Sequence, residues 1–252
     1  MYMTEELWND IPVLHVRKQE TKNDAPVMFF LHGFQSAKEH NLHYAYHLAN
    51  EGVRVVLPEA ALHGVRSKDY SLEQMAAHFW EVVMTSIQEM NVLYAYVQQQ
   101  FTPTRIGMSG TSMGGITTFG CLATYPWIDV GGSMMGSPAY DTLARGQLAH
   151  IEKKGIDLPV EREKIEQLLE MLQPYDLMQQ VERLNQRPLF LWHGQLDELV
   201  PFQLTAAFYE KIRSLYDDEE MLVFIQDKEA GHKVPRYAIL AMTEWFSRQL
   251  MK

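Results

Sequence analysis

Short apolar runs alternate with longer amphipathic stretches along the chain. Pro26-Val27-Met28-Phe29-Phe30-Leu31 is almost continuously apolar, as expected of a strand buried on both faces. Ile11 to Val16, Val53 to Leu57, Arg105 to Ser109, Val130 to Met135, Leu189 to Trp192 and Met221 to Ile225 have strand character too. Between them lie helical patterns over Lys38 to Asn50, Ser71 to Gln99, Ile116 to Tyr125, Gln203 to Leu215 and Tyr237 to Leu250. The last places Ile239, Met242, Phe246 and Leu250 on one side. Strands alternating with helices predict an α/β fold: a mainly parallel sheet with helices on both faces, forming a single domain over residues 1–252.

One stretch breaks the rhythm. Residues 141–187 hold 16 charged side chains in 47 positions, against 21% charged overall. Ile165, Leu168, Leu169 and Leu172 within it follow helical spacing. A cap-like helical insertion is expected over about 138–187, either a layer packed on the core or a lid over the strand ends.

Composition narrows the function classes. Lys plus Arg is 22 and Asp plus Glu is 32, a formal net charge of −10. Such a chain is ill suited to nucleic acid or anionic membranes, which attract a positive surface. One cysteine excludes an internal disulfide framework and makes a thiolate zinc site a poor expectation. Glu5 and Glu6 stand where a signal peptide would be basic and then apolar, so a cytoplasmic location is expected. His40, His43 and His47 recur on one helical face, but no carboxylate or thiolate completes a ligand set with them, and no metal is expected there.

The candidate chemistry starts at Gly110-Thr111-Ser112-Met113-Gly114. A strand-like run precedes this G-x-S-x-G and a helix-like run follows it, the setting of a nucleophile elbow. Glycine at 110 and 114 removes side chains that so tight a turn would force together. The turn lifts the Ser112 hydroxyl above the sheet, beside the N-terminus of the next helix. A serine hydroxyl needs a base, and the base an orienting acid. The elbow predicts the order Ser, acid, His, with each partner in a loop after a late strand. Asp197 follows the strand 189–192, and Glu198 is its adjacent competitor. His232 follows the strand 221–225 and is the only histidine after Asp197. An oxyanion hole would draw one backbone N–H from Met113 and one from Phe34, in Leu31-His32-Gly33-Phe34 after the strand 26–31. His32 is expected to be structural rather than an acid–base group.

His32-Gly33-Phe34, Gly110-Thr111-Ser112-Met113-Gly114-Gly115, Gly194-Gln195-Leu196-Asp197-Glu198-Leu199-Val200-Pro201 and Gly231-His232 occur in the order of the α/β-hydrolase landmarks. From about residue 11 to 250 the chain resembles that superfamily, and within it small bacterial serine carboxylesterases near the dienelactone hydrolase and prolyl oligopeptidase branches. Dienelactone hydrolases typically carry a cysteine nucleophile, whereas this chain has serine. The common Gly-His-Gly-x-Ser loop stands here as Leu62-His63-Gly64-Val65-Arg66-Ser67, with His63 able to line the pocket. The resemblance implies a carboxylesterase acting on short-to-medium acyl esters through an acyl-enzyme on Ser112, with no cofactor and a small-molecule substrate. A peptidase, amidase or thioesterase using the same three residues is the alternative. A non-catalytic binding module is the remaining one.

Overall fold

A computed structural model describes residues 1–153 and 162–252. Eight strands form one sheet. β1 (Tyr2–Trp8) and β2 (Ile11–Arg17) make an antiparallel hairpin. Its two turn residues, Asn9 and Asp10, have φ of 49° and 67°, the left-handed values that a two-residue hairpin turn requires. β3 (Val27–Leu31), β4 (Arg54–Pro58), β5 (Ile106–Gly110), β6 (Val130–Met134), β7 (Leu189–Gly194) and β8 (Leu222–Asp227) follow. The spatial order is β1-β2-β4-β3-β5-β6-β7-β8. β2 pairs antiparallel with β4, and every pair from β4 to β8 is parallel. The expected parallel sheet is therefore present, with an antiparallel hairpin at one edge.

Among the described residues there are eight α-helices: α1 (Leu42–Asn50), α2 (Leu72–Ala77), α3 (Phe79–Gln100), α4 (Met113–Thr124), α5 (Tyr140–Lys153), α6 (Arg162–Leu172), α7 (Phe202–Ile212) and α8 (Arg236–Leu250). They divide by the alternation of β3. Met28 and Phe30 face a core shared with Tyr44 and Leu48 of α1 and Met242 and Phe246 of α8. Val27, Phe29 and Leu31 face the other way, toward Val83 and Ile87 of α3, Ile116 and Phe119 of α4, and Phe208 of α7. Burial on both sides explains the continuous apolar runs. Among the described residues, no helix is long and apolar enough to cross a membrane.

The helix expected over Ser71 to Gln99 is broken at His78, whose φ and ψ of −89° and 3° end α2 before α3 begins. Ser71 starts α2 with a reciprocal cap: its hydroxyl accepts from the Gln74 amide at 3.2 Å, and the Gln74 side chain accepts from the Ser71 amide at 2.8 Å. The range expected as an insertion carries α5, α6 and short 3-10 turns at Gln173–Tyr175 and Val181–Leu184; its residues 154–161 lie outside the described residues. Leu143 and Ala144 of α5 and Leu169 and Leu172 of α6 are buried in the core shared with Phe119. The apolar edges of both helices thus pack into the core on that side of the sheet.

Candidate active site

The parallel strands deliver their following loops to one edge of the sheet, where α/β proteins place their ligands. His32 leaves β3, Ser112 leaves β5, Asp197 follows β7 and His232 follows β8. Ser112 sits at φ 53°, ψ −116°, a strained conformation for a residue with a side chain. The turn is sustained from both sides. A Cβ at Gly110 would lie 2.5 Å from the Gly114 carbonyl carbon, and one at Gly114 would lie 2.2 Å from the Leu31 carbonyl oxygen. Glycine is thus required at 110 by the elbow itself and at 114 by contact with the end of β3. The Ser112 amide donates to Met134 O at 2.9 Å, which ties the turn to β6.

The side chains predicted from sequence meet. His232 Nε2 lies 2.8 Å from Ser112 Oγ, and His232 Nδ1 lies 2.7 Å from Asp197 Oδ2. Asp197 accepts only donors, so Nδ1 carries the imidazole hydrogen and Nε2 is left to accept from the serine hydroxyl. Asp197 is buried, and its Oδ1 accepts from the Leu199 and Val200 amides at 2.9 and 3.0 Å. Burial alone would raise its carboxyl pKa. Hydrogen bonds from His193, His232 and the Val200 amide outweigh that and hold it well below the usual carboxylate range. Glu198, the adjacent competitor, points to solvent.

Phe34 lies in the loop after β3, and Met113 opens α4 directly after Ser112. Among the described residues, neither backbone amide has a hydrogen-bond partner. The loop that carries Phe34 approaches the elbow closely: a Cβ at Gly33 would lie 3.5 Å from Ser112 Cβ. His32 holds that loop, with Nδ1 2.9 Å from Gly33 O and Nε2 within 3.0 Å of the Ala60 nitrogen and 3.2 Å of Glu59 Oε1. Among the described residues, its ring makes no hydrogen bond to Ser112. His63 is buried, with its ring 5.5 Å from the Phe34 ring and 5.3 Å from His32. Among the described residues, no cluster of three His, Cys, Asp or Glu side chains is arranged to hold a metal. His40 instead pairs with Ser36 Oγ at 2.9 Å.

Two residues escaped the sequence reading. Glu59, just beyond β4, is fully buried and takes the Lys38 amide and ammonium at 3.0 and 3.2 Å. His193, the penultimate residue of β7, reaches Asp197. Its signal was present in the sequence, a histidine four residues before the candidate acid at a strand's end, but such a residue also reads as a core histidine.

The sequence profile of the prolyl oligopeptidase family matches residues 39–252. The chain belongs to that family. It is 48% identical over 244 residues to "Putative esterase YitV" of Bacillus subtilis (strain 168), spanning 95% of this chain and 96% of the relative. It is 28% identical to "Esterase YjfP" of Escherichia coli (strain K12), spanning 96% of each chain. Among solved structures, TT1662 from Thermus thermophilus superposes with a TM-score of 0.76 at 20% identity, covering 100% of this chain and 98% of that one. The last likeness concerns the fold, which is that of the α/β-hydrolases. The family match covers every loop that bears a candidate side chain except the Phe34 loop, which precedes it.

Proposed function

We propose that this member of the prolyl oligopeptidase family is a serine carboxylesterase acting on small-molecule esters, with Ser112 as nucleophile, His232 as general base and Asp197 as its orienting acid. The observation that carries the reading is the single imidazole 2.8 Å from a serine hydroxyl and 2.7 Å from a buried carboxylate. The esterase names of two relatives support the choice of ester.

In this reading Ser112 Oγ attacks the ester carbonyl carbon as His232 Nε2 takes the hydroxyl proton. Asp197 fixes the imidazole tautomer and stabilises the imidazolium. The unpartnered amides of Phe34 and Met113 donate to the oxyanion, where one such donor is worth about 3–4 kcal/mol in the transition state. His232 then protonates the leaving alkoxide oxygen as the carbon–oxygen bond breaks. Water, activated by the same imidazole, releases the acid from the acyl-enzyme. None of these steps draws on a cofactor.

The test is turnover of p-nitrophenyl esters of graded acyl length beside the p-nitroanilide of the same acyl group. The expected result is ester turnover well above anilide turnover, with Ser112→Ala lowering kcat by on the order of 10⁶. Equal turnover by Ser112→Ala and the wild type would remove the nucleophile assignment. A faster anilide would turn the reading toward a peptidase.

A further inference from the structure

Asp197 Oδ2 faces two imidazoles. His232 Nδ1 stands 2.7 Å away and His193 Nε2 stands 3.2 Å away. The side chains of His193 and Asp197 are both fully shielded from solvent. His193 Nε2 also lies 2.9 Å from Val200 O, so both of its neighbours on that side are acceptors. Nε2 must therefore carry a hydrogen, shared between the carboxylate and the carbonyl. Nδ1 lies 3.0 Å from Thr205 Oγ1, whose single hydroxyl hydrogen faces both Nδ1 and Gly136 O, the latter at 2.8 Å. The Phe202 ring packs edge-on against the imidazole at 5.9 Å. The ring is thus fixed on both nitrogens and on its face.

The geometry points to His193 as a positioning residue of the reaction: its Nε2–H shares Asp197 Oδ2 with His232 and sets how strongly that carboxylate holds the His232 proton. This rests on the Ser112–His232–Asp197 reading above. Each carboxylate oxygen has two donors, the Leu199 and Val200 amides on Oδ1 and the two imidazoles on Oδ2. A donor to a carboxylate withdraws charge from it, so the His193 contact weakens the pull of Oδ2 on His232. With the His193 donor removed, Oδ2 serves His232 alone. The imidazolium is then favoured in the resting enzyme, and the base retains its proton to higher pH. The two amides on Oδ1 still orient the carboxylate, so the effect falls on basicity more than on placement.

The experiment compares wild type, His193→Leu and His193→Gln by the pH profile of kcat/KM on a p-nitrophenyl ester, normalised to the active sites that react with a fluorophosphonate. His193→Leu is expected to move the acidic limb up by about 0.5–1 pH unit and so to lower kcat/KM on that limb by about 3- to 10-fold, with a smaller loss on the plateau. His193→Gln, whose side-chain amide restores an N–H near the lost Nε2, is expected to bring the limb back toward the wild type. An acidic limb in His193→Leu that coincides with the wild type, or that moves down, overturns the proposal, whatever happens to Tm or kcat. A second measurement needs no buried substitution by leucine. In wild-type protein labelled with ¹⁵N-histidine, the His193 Nε2–H signal, assigned by its loss in His193→Gln, should persist from pH 5 to 9 and shift with the same midpoint as His232. A His193 signal unmoved while His232 titrates overturns the coupling even if His193→Leu does not fold. Because the spectrum is read without substrate, absence of ester turnover would refute the esterase reading separately from this one.

Discussion

Glu59 offers a quantitative handle on what holds the loop after β3. Its carboxyl is buried, which alone would raise its pKa, but contacts from His32, the Lys38 amide and the Lys38 ammonium outweigh this and hold it at about 2, against an ordinary 4.5. At about 1.4 kcal/mol per pH unit, this difference is worth about 3 kcal/mol of folding stability at neutral pH. The folded value lies below the unfolded one. The stabilisation is therefore complete above pH 4.5 and drains away as pH falls toward 2, with about 2 kcal/mol left at pH 3.5. Glu59→Gln keeps the shape, removes the charge and leaves the Lys38 ammonium buried with Glu39 and Glu5 as its remaining partners. Urea unfolding of the two proteins at pH 7 should show the variant weaker by about 3 kcal/mol, and the gap should narrow by about 1 kcal/mol at pH 3.5. A gap under about 1 kcal/mol at pH 7, or one that widens on acidification, would show that the Glu59 charge does not stabilise the fold.

Two further outcomes follow from the site itself. Gly114→Ala sets a Cβ 2.2 Å from the Leu31 carbonyl oxygen, so β3 and the elbow must part; thermal or urea unfolding should show a loss of about 3 kcal/mol, and ester turnover of the folded fraction should drop about 100-fold. Asp197→Asn leaves an oxygen for the Leu199 and Val200 amides but turns an NH₂ toward His232, which forces the other imidazole tautomer; steady-state kinetics should show kcat lower by about 10⁴ with KM little changed.

How far the sequence announces this arrangement depends on where each element is buried. β3, β4 and β7 are sheathed on both faces, so their apolar runs stand out. β1 does not, because it is an edge strand of which only Trp8 is buried; it exists through its backbone pairing with β2, which leaves no apolar period to read. The break at His78 carries no glycine or proline, and local composition cannot separate α2 from α3. Ser112, Asp197 and His232 were legible because each occupies a fixed place relative to a strand end. Asp197 was separable from Glu198 only weakly in sequence, and in space the Leu199 and Val200 amides fold back onto the former while the latter faces water. His193 and Glu59 were harder, since their meaning lies in partners distant in the fold and a buried histidine or glutamate has no period of its own.

The proposed reaction requires Ser112 to be a nucleophile made reactive by His232 and Asp197. Reaction with a fluorophosphonate, read by intact mass and by mapping of the modified peptide, tests it most directly. One label per chain on Ser112, absent in Ser112→Ala and greatly slowed in His232→Ala, is the predicted result. Equal labelling of Ser112→Ala, or an unlabelled wild type that still turns over esters, would contradict it.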